Sequence, residues 1–149
     1  HTAVTRSPSD EWTAQQLREA TPWGTGPKYL IRDRDDKYGP LVSDVARSTG
    51  INVLKTPVRA PKANAVCERF IGSLRRECLD HMLFMRSRHL HHVVRDYVEY
   101  YNHARPHQGI GQRLPAQFPR TYSPSSGPIT TKPLLSGLHH AYSRATHLH

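Results

Sequence analysis

The apolar positions of this chain follow two rhythms. Tyr29-Leu30-Ile31-Arg32-Asp33 is a short apolar run that reads as a strand too apolar for the surface, and Ile51–Thr56 reads as the next strand. Between them Leu41, Val42, Val45 and Ala46 recur at helical spacing, which predicts a helix over Pro40–Ser48 with Gly50 closing it. Strand, helix, strand in that order predicts a parallel pair with a crossover helix. Upstream, Ser7-Pro8-Ser9-Asp10 reads as a helix start, with Ser7 as N-cap, Pro8 as first helical residue and Asp10 as capping-box acid. Trp12, Leu17 and Ala20 then form a weak apolar stripe, and Trp23-Gly24-Thr25-Gly26-Pro27 reads as a turn. Downstream, a helix from about Asn64 to Leu79 carries Val66, Phe70, Ile71, Leu74 and Cys78 as its apolar face. Glu68 falls off that stripe, sharing its face with Gly72 and Arg75. The longest predicted helix, about Ser87 to Asn102, presents Leu90, Val93, Val94, Tyr97, Val98 and Tyr101 as a core stripe. After Arg120 the rhythm stops. Residues 121–149 are rich in Pro, Ser, Thr, Gly and His, so the expected organisation is a core over 1–120 and a disordered tail over 121–149.

Charge narrows the partner. The 149 residues hold 21 Lys and Arg against 12 Asp and Glu, a formal net charge of +9. That balance favours a polyanion, most simply nucleic acid. No run of 18 apolar residues exists, so no bilayer-spanning helix is expected. The opening His1-Thr2-Ala3-Val4 has no apolar segment of the secretory kind. The two cysteines, Cys67 and Cys78, sit roughly 16 Å apart if on one helix, too far for a disulfide. They read as buried small hydrophobes in a reducing compartment. His89, His91, His92, His139 and His140 lack the Cys pair or HExxH spacing of a zinc site, and none is expected.

The candidate chemistry rests on Asp33 and Glu68. A carboxylate at a strand end and another in the first turns of a helix can converge on one hard divalent cation. Such a centre can run phosphoryl transfer on a nucleic acid backbone. Asp35, two positions on, is the alternative to Asp33 under a register slip. The loop Pro57-Val58-Arg59-Ala60-Pro61-Lys62 brings two cations before Glu68, and Arg69, Arg75 and Arg76 follow it. Cations so placed suit phosphate contacts that bind without reading sequence.

Four segments in order resemble the catalytic cores of DDE transposases and retroviral-type integrases. They are Leu30–Tyr38, Thr56–Phe70, Arg75-Arg76-Glu77-Cys78-Leu79-Asp80 and Tyr101-Asn102-His103-Ala104-Arg105-Pro106-His107. The last two are typical of bacterial insertion-sequence transposases, and the resemblance covers roughly residues 5–118. It implies an α/β, RNase H-like fold, followed here by C-terminal helices and the tail. It implies Asp33 and Glu68 as the second and third catalytic acids and ligands of Mg²⁺ or Mn²⁺. DNA is the implied partner, with another copy or a full-length transposase as further partners, in the cytoplasm of a bacterium at its nucleoid. The first family Asp has no counterpart here, which suggests a chain incomplete at its N-terminus and inactive alone. By the same comparison the Tyr29–Asp33 strand loses a neighbour and keeps an open apolar edge. A non-catalytic DNA-binding or transposase-interacting module, and a decayed transposase remnant, are the alternative readings. The Tyr101–His107 motif has no assigned chemistry: Asn102 can cap the preceding helix, Arg105 and His107 can anchor the loop that follows, and structural and catalytic roles both stay open.

Overall fold

The computed structural model describes residues 1–57, 65–117 and 126–145. They divide into two compact units, His1–Arg76 and Glu77–His149.

The first unit is α/β. It opens with α1 (Asp10–Ala20), capped by Ser9, whose hydroxyl accepts the Trp12 N–H at 3.2 Å. The cap is therefore Ser9 rather than Ser7, and Asp10 has another task. Its Oδ2 and Oδ1 accept the N–H groups of Leu41 and Val42 at 2.9 and 3.0 Å, at the start of α2 (Pro40–Ser48). The N-cap of α2 is Gly39, which has no side chain to offer. A Cβ there would lie 2.5 Å from Asp10 Oδ2, so the reach of Asp10 requires glycine at 39. Helix α2 ends as the sequence predicts. Gly50 adopts φ +73°, its N–H bonds to the Arg47 carbonyl, and Ile51 N–H returns to the Ala46 carbonyl. This is a Schellman closure, which needs a left-handed residue at the Gly50 position.

Strands β1 (Tyr29–Arg32) and β2 (Asn52–Lys55) pair in parallel, in the register Tyr29 with Asn52 through Arg32 with Lys55. With α2 as the crossover, this is the predicted strand–helix–strand unit. Ala14, Val42 and Val45 are buried together, with Leu17 and Tyr38 packed against them. Ala14, absent from the predicted stripe, is the α1 residue fully buried in this core, and Leu17 of the stripe packs beside it. Among the described residues β1 pairs only with β2. Tyr29, Ile31 and Leu54 are about half exposed, at 50%, 52% and 47%.

Helix α3 (Ala65–Glu77) departs from its predicted face. Ser73, Leu74 and the following Cys78 are buried, whereas Val66 and Ile71 are exposed. The apolar rhythm runs along the whole helix, but burial is confined to its second half. Cys67 is exposed and only Cys78 is a buried hydrophobe; both are free thiols, and burial pushes the Cys78 thiol up.

The second unit is built on α4 (Ser87–His103), where Val93 and Tyr97 are buried and the rest of the predicted stripe is partly covered. The tail expected to be disordered is ordered in part. Within residues 121–149 the structure forms an antiparallel hairpin, β3 (Ile129–Leu134) with β4 (His139–Arg144). Its turn passes through Leu135, Ser136 and Gly137, all at positive φ.

Candidate functional site

Asp33 directly follows β1 and is exposed. Its Oδ1 accepts the Asp35 N–H at 3.1 Å, an Asx turn that stops the strand. Among the described residues it forms no ion pair. Asp35 differs. Its carboxylate holds Lys37 Nζ at 2.7 Å and the Lys37 N–H at 3.0 Å. Those hydrogen bonds keep the Asp35 carboxyl below its ordinary value. Of the two acids, Asp33 is the one that forms no ion pair among the described residues.

Glu68 lies in the first turn of α3 and is exposed, where the helix dipole favours an anion. Arg69, Arg75 and Arg76 are exposed on the same helix. Arg76 folds across Gly72: a Cβ there would meet its Nη1 at 3.0 Å. Gly72 is one turn on from Glu68, so Arg76 lies along the face of the acid. Arg59 and Lys62 lie outside the described residues. No group of three or more His, Cys, Asp or Glu side chains capable of holding a metal ion occurs among the described residues. Asp33 and Glu68 are nonetheless hard oxygen donors open to solvent, and Mg²⁺ sites use one or two carboxylates completed by substrate phosphate and water. The donor chemistry fits that cation.

A constellation that no spacing in the sequence reveals lies at the start of the second unit. Glu77 ends α3 with its carboxylate gripped from two directions. Arg105 donates Nε to Oε2 at 2.7 Å and Nη2 to Oε1 at 2.6 Å, and the Tyr97 hydroxyl donates to Oε2 at 2.9 Å. The Arg105 fork is bidentate, the strong geometry for a guanidinium and a carboxylate. Burial pushes the Glu77 carboxyl up, but the Arg105 and Tyr97 hydrogen bonds outweigh it and leave it below the usual carboxylate value. Burial and the same carboxylate push the Tyr97 hydroxyl far up. The His139 ring bonds to the Glu77 carbonyl at 2.7 Å and stacks on Tyr100, with ring centroids 4.5 Å apart. His107 bonds to the Tyr101 carbonyl at 2.8 Å and meets that ring edge-on. Two of the four segments that carry the resemblance thus close on each other through Glu77 and Arg105, and Arg105 and His107 of the Tyr101–His107 motif make hydrogen bonds within this unit.

Residues 49–115 match the integrase core domain family. This part of the chain is similar to integrase-core sequence. The matched stretch contains Glu68 and the Glu77–Arg105 pair, while Asp33 lies before it. A 39.2 kDa protein of insertion element IS476 from Xanthomonas euvesicatoria is 37% identical over 73 residues, 49% of this chain and 21% of that protein. A 31.7 kDa protein of insertion element IS407 from Burkholderia multivorans is 27% identical over 108 residues, 72% of this chain and 39% of that protein. The chain therefore spans well under half the length of either relative. Among the described residues no helix is long and apolar enough to cross a membrane.

Proposed function

We propose that this chain carries part of the catalytic core of an insertion-sequence transposase of the DDE type, with an RNase H-like fold. Its parent activity is DNA strand cleavage and strand transfer. The observation that supports this most is the integrase-core match enclosing Glu68, joined to an exposed Asp33 at the end of a parallel strand. Asp33 and Glu68 are the carboxylates that would hold Mg²⁺ or Mn²⁺. A divalent cation there supplies Lewis-acid activation for in-line displacement at a phosphodiester. The protein's own part is to present two oxygen donors in solvent, one fixed by its Asx turn and one seated at a helix start. Arg69, Arg75 and Arg76, with Arg59 and Lys62, bear on the DNA backbone by charge, which positions the duplex without reading its bases.

Manganese titration tests this reading. Millimolar Mn²⁺ is expected to broaden the amide resonances around Asp33 and Glu68 together in the purified chain. Asp33→Asn should abolish both effects. Broadening at one acid alone, or at neither, would remove the shared metal site. Bringing only two carboxylates, the chain is expected to bind the ion without nicking plasmid DNA. Mg²⁺-dependent nicking abolished by Glu68→Gln would overturn that expectation.

A further inference from the structure

The carboxyl ends of β1 and β2 present an arrangement that the metal site does not use. Arg32 and Lys55 are register partners in the parallel pair, so two cationic side chains leave neighbouring strands side by side. Like charges so placed repel. Arg32 is also buried, at 7% exposure. Its Nη1 donates to the Asp33 carbonyl at 3.1 Å, and its guanidinium lies 5.7 Å from the Tyr38 ring centre. Its Nε has no hydrogen-bond partner. Among the described residues no carboxylate pairs with it. A guanidinium this deep without an acid carries a heavy desolvation cost that neither a carbonyl nor a ring face offsets.

Arg32 and Lys55 line a cavity of about 420 Å³, together with Arg34, Tyr38, Asp35 and Asp36. Asp33 does not line it. Of its two acids, Asp35 is already held by Lys37 at 2.7 Å. Cations therefore prevail around this space. The first free N–H groups of α2 are not available to a ligand, because Asp10 takes those of Leu41 and Val42. A ligand here is therefore not held by the start of α2. The place itself is one where open α/β sheets bind ligands, beyond the carboxyl ends of parallel strands.

We propose that this cavity is a phosphate-binding site, with Arg32 as its buried anchor and Lys55 and Arg34 as its outer cations. A phosphate group has several oxygens and can satisfy a guanidinium fork and an ammonium at once. It also cancels the repulsion between the two strand ends. The phosphate comes either from a DNA backbone, which would extend the proposed function to a second contact surface, or from the free anion.

Tests on the full 149-residue chain in EDTA, without divalent metal, keep this site separate from the metal reading. The probes are inorganic phosphate and a duplex oligonucleotide. Replacing chloride by phosphate at equal ionic strength should raise the unfolding midpoint by several degrees. It should also shift the side-chain Nε–H resonance of Arg32, assigned by its disappearance in Arg32→Lys. Lys55→Ala and Arg34→Ala alter exposed residues and should keep the fold while losing most of the phosphate effect. If DNA is the source, Lys55→Ala also weakens duplex binding and lowers the slope of log affinity against log salt by about 0.9, the loss of one phosphate contact. If the free anion is the source, the phosphate effect falls in the variants and duplex affinity stays unchanged. A wild-type chain that responds to phosphate as to chloride, with duplex affinity equal in the wild type and Lys55→Ala, overturns the site. A failed metal titration with these results intact would sink only the metal reading.

Discussion

Two glutamates on α3 show how differently one helix can use the same side chain. Glu68, in the first turn, is exposed and belongs to no ion pair among the described residues. Glu77, at the last position, is partly buried and receives three hydrogen bonds from Arg105 and Tyr97. A carboxylate with its lone pairs filled stabilises the fold and has nothing left for a ligand. A carboxylate in water adds little to the fold and keeps its oxygens for a cation. Asp33 and Asp35 repeat the contrast across two positions, since Lys37 occupies the second and leaves the first. Partner saturation therefore separates structural acids from candidate ligands where residue type cannot.

Four substitutions or titrations put this contrast to the test. The largest effect belongs to Arg105→Met, which leaves Glu77 part-buried and unpaired. It should destabilise the chain by about 3 kcal/mol in denaturant unfolding, in the range for breaking one side of a buried pair. Adding Glu77→Gln should return part of that loss; no recovery would mean that Arg105 acts through packing. Next comes Asp10→Ala, which strips two N–H groups of α2 of their acceptor. A loss of about 1–2 kcal/mol is expected, as for other helix caps. Amide exchange of Leu41 and Val42 should rise with it.

The third is a pH effect. The folded Glu77 carboxyl lies below its ordinary value of 4.5, so its contribution is complete above that value. It is lost as pH falls from 4.5 through the lower folded pKa, because the unfolded chain takes up the proton first. Acid unfolding of Glu77→Gln should therefore show a shallower slope below pH 4.5 than that of the wild type. Identical slopes would assign the acid sensitivity to other carboxylates. The smallest effect on stability is expected for Asp33→Asn and Glu68→Gln, within about 0.5 kcal/mol of wild type. Their consequence should appear in Mn²⁺ binding alone. A large loss of stability from either would move that acid into the structural class with Glu77.

The order of elements in the first unit was legible because its core helix and strands keep a clean apolar rhythm. Val42, Val45 and Ala46 are buried where the spacing placed them, and Gly50 closes α2. The α4 stripe was legible for the same reason. Contacts between distant residues were not. Ser7-Pro8-Ser9-Asp10 offers two serines as caps, and local spacing favoured the wrong one. The spacing also gave Asp10 a local duty, while its carboxylate serves a helix 31 positions away. Glu77 and Arg105 are 28 residues apart, and no periodicity links them. The hairpin escaped because it lacks alternation. Every residue of β3 except Leu134 is exposed, and Pro133 argues against a strand. At the candidate site, residue type and motif order name Asp33 and Glu68 as candidates and leave Asp35 as an alternative. The saturation of Asp35 by Lys37 needed coordinates.

The Asp10–Gly39 contact makes positions 10 and 39 a single design variable. A side chain at 39 would collide with the carboxylate at 10, and a shorter residue at 10 would free the room that a side chain at 39 needs. Anyone re-engineering this helix pair should change both together, for instance by installing a serine at 39 as its own cap while trimming 10 to alanine.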